Sequence, residues 1–232
     1  MLARMDPTRR ILLAAPALIS TQAHAQEALD MLLVLAMDAS GSIGEEEFRL
    51  QREGYAEALT HPQVIAAIRS KRRAAMGIAM IEWGSPGGSQ TIVEWSRVGD
   101  IVSAQLLADT LMAAPRTQQS YNAIGDAIHH ASHLLREGPF TAEQLVIDVS
   151  GDGPDMRSHR PAPVARDIVV RRGMVVNALA IAVPGQAARG GETLEEHYRQ
   201  NVMGGPGAFV ITAESRRDIA RALRAKLIRE MA

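Results

Sequence analysis

Asp38-Ala39-Ser40-Gly41-Ser42 places one carboxylate and two hydroxyls at alternating positions, between the apolar run 31–37 and the amphipathic stretch 45–59. Such a set offers hard oxygen donors to one point and suits Mg²⁺ or Mn²⁺, with Ca²⁺ also compatible, better than softer metals. The same residues have a second use: a serine here could cap the following helix while Asp38 accepts backbone N–H groups. A second acid between glycines, Gly151-Asp152-Gly153, follows the apolar run 145–149. Asp152 is placed to face a metal, directly or through water, or else to close an ordinary turn. Asp148 lies inside its strand and reads as structural.

Other motifs fail on spacing. An EF-hand loop beginning at Asp38 would put Ile43 where glycine is needed and Arg49 where glutamate is needed. No Gly-x-Ser-x-Gly elbow surrounds Ser40 or Ser42, and no Gly-x-x-x-x-Gly-Lys-Ser/Thr phosphate loop exists. His129, His130 and His133 fall on one expected helix and read as surface or packing residues, although 129 and 133 have the spacing of a metal-binding face. Trp83 and Trp95 are expected to pack across a hairpin.

The elements that must position these residues alternate. Strand-like runs at 31–37, 75–83, 91–95, 145–149, 174–183 and 208–211 are separated by helical patterns at 45–59, 64–68, 101–113, 123–136, 162–172, 193–202 and 214–231. The link 84–89 is too short for a helical crossover, so 75–83 and 91–95 should form an antiparallel pair with the shorter strand at the edge. The order predicts an α/β fold: a doubly wound, mostly parallel sheet with one antiparallel edge strand and helices on both faces. Ligands are then expected at the carboxyl ends of its central strands.

Composition narrows the function. The 232 residues carry 25 Lys+Arg against 26 Asp+Glu, which supplies no basic surface for nucleic acid. The absence of cysteine removes disulfide scaffolds, thiolate zinc sites and cysteine nucleophiles. Residues 1–25 read as a signal peptide: Arg9-Arg10, the apolar run 11–19, then the small-residue pattern Ala23-His24-Ala25. Thr8-Arg9-Arg10-Ile11-Leu12-Leu13 looks like a twin-arginine export signal. Residues 26–232 are then expected to form a single exported domain, periplasmic or secreted, with no transmembrane segment.

The Asp-x-Ser-x-Ser motif at a strand end, a loop preceding a helix and a later Gly-Asp-Gly together resemble the metal-ion-dependent adhesion site of von Willebrand factor A-type domains. The resemblance covers essentially all of 26–232. Residues 147–154, Ala165-Arg166-Asp167 and 204–210 further resemble an uncharacterised exported bacterial subfamily. The resemblance implies a divalent cation held by Asp38, Ser40 and Ser42, a contribution from Asp152, and a carboxylate from a partner protein completing the coordination. That partner would itself be exported or membrane-anchored. Where the family's middle loop has threonine, this chain has Asn122, whose amide oxygen can ligate Mg²⁺; Ser120 becomes the alternative if the loop shifts by two residues. The implied role is binding rather than catalysis, because no histidine stands at an expected strand end. A metal-free scaffold of the same fold and a metal-assisted phosphoester hydrolase are the alternatives.

Overall fold

The computed structural model describes residues 26–182 and 191–231, so the signal-peptide expectation for 1–25 lies outside the described residues. The chain runs β1 (Glu27–Asp38), α1 (Glu45–Thr60), α2 (Pro62–Arg69), β2 (Met76–Trp83), β3 (Gln90–Val98), α3 (Ile101–Ala113), α4 (Ile124–Glu137), β4 (Phe140–Gly151), α5 (Ala162–Val170), β5 (Val175–Ile181), α6 (Leu194–Asn201), β6 (Val210–Ala213) and α7 (Ile219–Glu230). The strands form one sheet in the order β3-β2-β1-β4-β5-β6. Every neighbouring pair is parallel except β2 with β3, so β3 is the antiparallel edge.

The sheet is covered on both faces, which explains why its central strands read as unbroken apolar runs. Alternate β1 residues serve opposite layers. Leu33, Leu35 and Met37 pack with Tyr55, Leu107 and Leu223 of α1, α3 and α7. Leu32, Val34 and Ala36 pack with Ile128, Ala165 and Tyr198 of α4, α5 and α6. Polar groups join the layers: the Tyr55 hydroxyl lies 2.7 Å from Ser150 Oγ, tying α1 to β4. On the same layer, Lys226 of α7 is fully buried against Asp148, with Glu230 at 3.3 Å, so Asp148 is a structural ion-pair partner.

Several details differ from the sequence expectation. β4 begins at Phe140 rather than 145, because its polar start pairs with the opening of β1, Glu27 against Phe140 and Leu29 against Ala142. The terminal helical pattern starts as a 3₁₀ turn, Arg216–Asp218, before α7. Trp83 and Trp95 are not register partners: Trp83 pairs with Asp38 and donates from Nε1 to Ala36 O at 3.0 Å, while Trp95 lies against Gly138. The described chain begins at the pole opposite Asp38. Gln26 Nε2 donates to Gly138 O at 2.8 Å, and Met231, just beyond α7, lies with Met31 and Gln144.

Candidate metal centre

β1 and β4 are neighbours, and the sheet's winding reverses between them, so the loops after their carboxyl ends face one crevice. Asp38 is the last residue of β1 and is fully buried. Its Oδ1 accepts from Ser40 N at 2.8 Å and its Oδ2 from Asp152 N at 3.3 Å, so one carboxylate joins both loops. Ser40 Oγ and Ser42 Oγ lie 3.0 Å apart, and Ser42 Oγ donates to Asp152 Oδ2 at 3.5 Å. The structure thus gathers Asp38, Ser40, Ser42 and Asp152 around one spot.

The middle loop closes over this cluster. Gly41 N donates to Ser120 O at 3.3 Å, and Ala123 N to Gly84 O at 2.9 Å. Ser120 therefore meets the serine loop through its backbone. Asn122 is held differently: its carbonyl accepts from Met156 N at 2.7 Å, which fastens it to the loop carrying Asp152. Its side-chain Oδ1 is buried with no hydrogen-bond partner. A buried amide oxygen left unpaired costs free energy on the order of 1–3 kcal/mol, so this atom is set up to accept something the chain does not supply. The glycines flanking Asp152 are explained by crowding rather than by turn conformation. A Cβ at Gly153 would lie 2.5 Å from Asn122 Nδ2, and one at Gly151 would lie 2.5 Å from Tyr198 Oη.

Electrostatics points the same way. Burial, and next the negative charge of Asp152, push the Asp38 carboxyl up to about 7. Tyr198, whose hydroxyl donates to Gly153 O at 3.1 Å, is pushed well above the usual tyrosine range by burial and then by Asp38 and Asp152. Two carboxylates, two hydroxyls and an amide oxygen fit a hard divalent cation. Among the described residues, no cluster of three or more His, Cys, Asp or Glu side chains is placed to hold a metal, so any ion here would depend on the hydroxyl and amide oxygens.

Several supports carry little local trace in the sequence. Arg52 of α1 pairs with buried Glu82 of β2 at 2.6 Å and donates to Leu111 O at 3.0 Å and Pro115 O at 3.2 Å. Glu82 Oε2 accepts from Thr117 N at 2.8 Å and Thr117 Oγ1 at 2.7 Å, which anchors the loop leading to Asn122. α4 has no side-chain N-cap of its own. Instead Gly125 N donates to Asp155 Oδ1 at 3.2 Å and Ser158 Oγ at 3.0 Å, a cap supplied by the Asp152 loop. The one local clue is Arg52, which occupies the apolar face of α1 between Phe48 and Tyr55.

Residues 28–232 match a family described as a protein of unknown function, DUF1194. The chain belongs to the DUF1194 family. No curated protein matches it in sequence. Among solved structures, the DUF1194 chain is similar to the pilus adhesin SpaC from Lactobacillus rhamnosus GG, with a TM-score of 0.61 at 18% identity over 88% of this chain and 31% of that one. It is also similar to proximal thread matrix protein 1 from the mussel byssus, described with a zinc-occupied MIDAS motif, with a TM-score of 0.62 at 15% identity over 89% of this chain and 49% of that one. A third is a von Willebrand factor type A protein from Catenulispora acidiphila, with a TM-score of 0.57 at 16% identity over 88% and 43% of the two chains. The DUF1194 chain therefore has the von Willebrand A-type fold, and it spans less than half the length of each of these three proteins.

Proposed function

We propose that this protein is an exported, metal-dependent protein-binding module. Asp38, Ser40, Ser42, Asn122 and Asp152 hold a divalent cation, Mg²⁺ or Mn²⁺, and an acidic group of a partner protein completes its coordination. The observation that carries this reading is the pairing of two facing carboxylates, one buried and raised to about 7, with an unpartnered buried amide oxygen on the adjoining loop. A cation would relieve both the like-charge repulsion and the unpaired acceptor. Asn122 is favoured over Ser120 because the Asn122 oxygen is buried, whereas Ser120 meets the cluster through its carbonyl. The solved relatives include an adhesin and a matrix protein, which supports binding rather than hydrolysis as the use of this fold. Export is supported by the leader-like residues 1–25, and no described helix is long and apolar enough to cross a membrane.

The test is calorimetric titration of Mg²⁺ and Mn²⁺ into the protein beside Asp38→Ala. Saturable binding to the unsubstituted chain, lost in the variant, is the expected result. Equal behaviour of the two chains would sink the reading and leave the metal-free scaffold.

A further inference from the structure

Four of the chain's seven histidines, His129, His130, His133 and His159, line one cleft of about 540 Å³ between α4, the β2–β3 turn and the loop before α5. All four rings are engaged. His130 Nε2 lies 3.2 Å from Thr91 Oγ1, and His159 Nδ1 lies 2.9 Å from Asp126 Oδ2, where Asp126 also accepts from Gly87 N at 2.9 Å. His129 and His133 are engaged at Nδ1, by Arg160 and by Arg136 and Glu137, which leaves Nε2 of each as the candidate ligand atom. They stand one turn apart on α4, with ring centroids 4.6 Å apart, so both imidazoles reach the same part of the cleft.

We propose that His129 and His133 form a second metal site, for a borderline-soft divalent cation of the zinc class, distinct from the oxygen-donor centre. Two imidazoles at this spacing on a helix are a natural chelating pair for such an ion, and unsuited to Mg²⁺. Burial, and next the proximity of His133, hold the His129 imidazole below its usual range, so the ring is in its neutral, ligating form at neutral pH. Glu137 Oε1, 3.4 Å from His133 Nδ1, is the carboxylate that would orient His133 when its Nε2 ligates. The cationic neighbours are Arg160, 3.5 Å from His129 Nδ1, and Arg136, 3.2 Å from His133 Nδ1; each donates to its imidazole, so ligation through Nε2 requires both guanidiniums to turn away and leave Nδ1 its proton. Among the described residues no third His, Asp or Glu converges with the pair, so water completes the coordination sphere. Along α4 the pair begins about 7.5 Å beyond the helix start at Ile124, at 1.5 Å per residue, and Asn122 lies outside the helix before it.

The experiment uses Zn²⁺ alone as the probe. It is titrated calorimetrically into Asp38→Ala, in which the oxygen-donor centre is disabled, and into the same chain carrying His129→Gln and His133→Gln. Glutamine keeps the helix propensity, and circular dichroism checks that both chains fold. Saturable uptake of one Zn²⁺ by the first chain and at least a tenfold loss in the second is expected. Equal affinity in both, or no saturable uptake by the first, would overturn the proposal. An independent reading comes from Cu²⁺ bound to the unsubstituted chain in excess Mg²⁺: nitrogen hyperfine structure in its paramagnetic resonance spectrum is expected, and an oxygen-only spectrum contradicts the site.

Discussion

Asp38 makes the cost of the site measurable. Unfolded, its carboxyl titrates at the ordinary 3.8; folded, burial and Asp152 raise it to about 7. The folded chain therefore holds a proton that the unfolded chain releases across that interval. The contribution of this group to stability is complete below about 4 and is lost as pH rises through 7. Glu230, also raised to about 7 by burial, adds a slope of the same sign, so the comparison must be with a variant. In the presence of a chelator, Asp38→Asn should flatten much of the decline in urea stability between pH 5 and 8, leaving the variant more stable at pH 8 by on the order of 2 kcal/mol. Asn122 gives a second expectation: Asn122→Ala should weaken Mg²⁺ binding about tenfold by calorimetry while Asn122→Thr restores it, since a hydroxyl also donates an oxygen. The Asp-x-Ser-x-Ser spacing and the Gly-Asp-Gly loop were legible because strand ends and loop acids leave local patterns. The Asp155 and Ser158 cap on α4 was not, because its donor and acceptors are 30 and 33 residues apart and nothing local links them.

Among the elements, α1, β2 and the loop after α3 are joined by one buried charge pair. Breaking such a pair leaves an uncompensated buried charge, with a cost of about 3–5 kcal/mol. Arg52→Ala should lower denaturant stability by that order. It should also weaken Mg²⁺ binding, because Glu82 would lose its partner while still holding Thr117 on the path to Asn122. A variant with lower stability and unchanged metal affinity would show that this anchor does not position the centre. The elements themselves were readable from apolar periodicity wherever a strand is buried on both faces, as in β1 and β2. The start of β4 was not, because this stretch pairs with β1 through the backbone while Thr141, Glu143 and Gln144 are exposed and Ala142 is only half-buried. Hydrogen-bonded pairing without burial leaves no hydrophobic trace. α7 opens late because Arg216–Asp218 forms a tighter 3₁₀ turn, within a stretch whose composition alone reads as helix.

For the whole molecule, an ion that binds only the folded chain adds to its stability by mass action. Mg²⁺ at a hundred times its Kd contributes about 2.7 kcal/mol. In a chain of this length that corresponds to a rise in Tm of roughly 5–10 °C by differential scanning calorimetry. Asp38→Ala should show no such rise, and a shift retained in that variant would place the stabilising ion elsewhere. β1 spans 12 residues from Glu27 to Asp38. At about 3.3 Å per residue the candidate centre lies nearly 40 Å from Gln26. Tethered to a bead or a sensor chip at the start of β1, the protein would stand with its centre turned away from the support and open to soluble ligands.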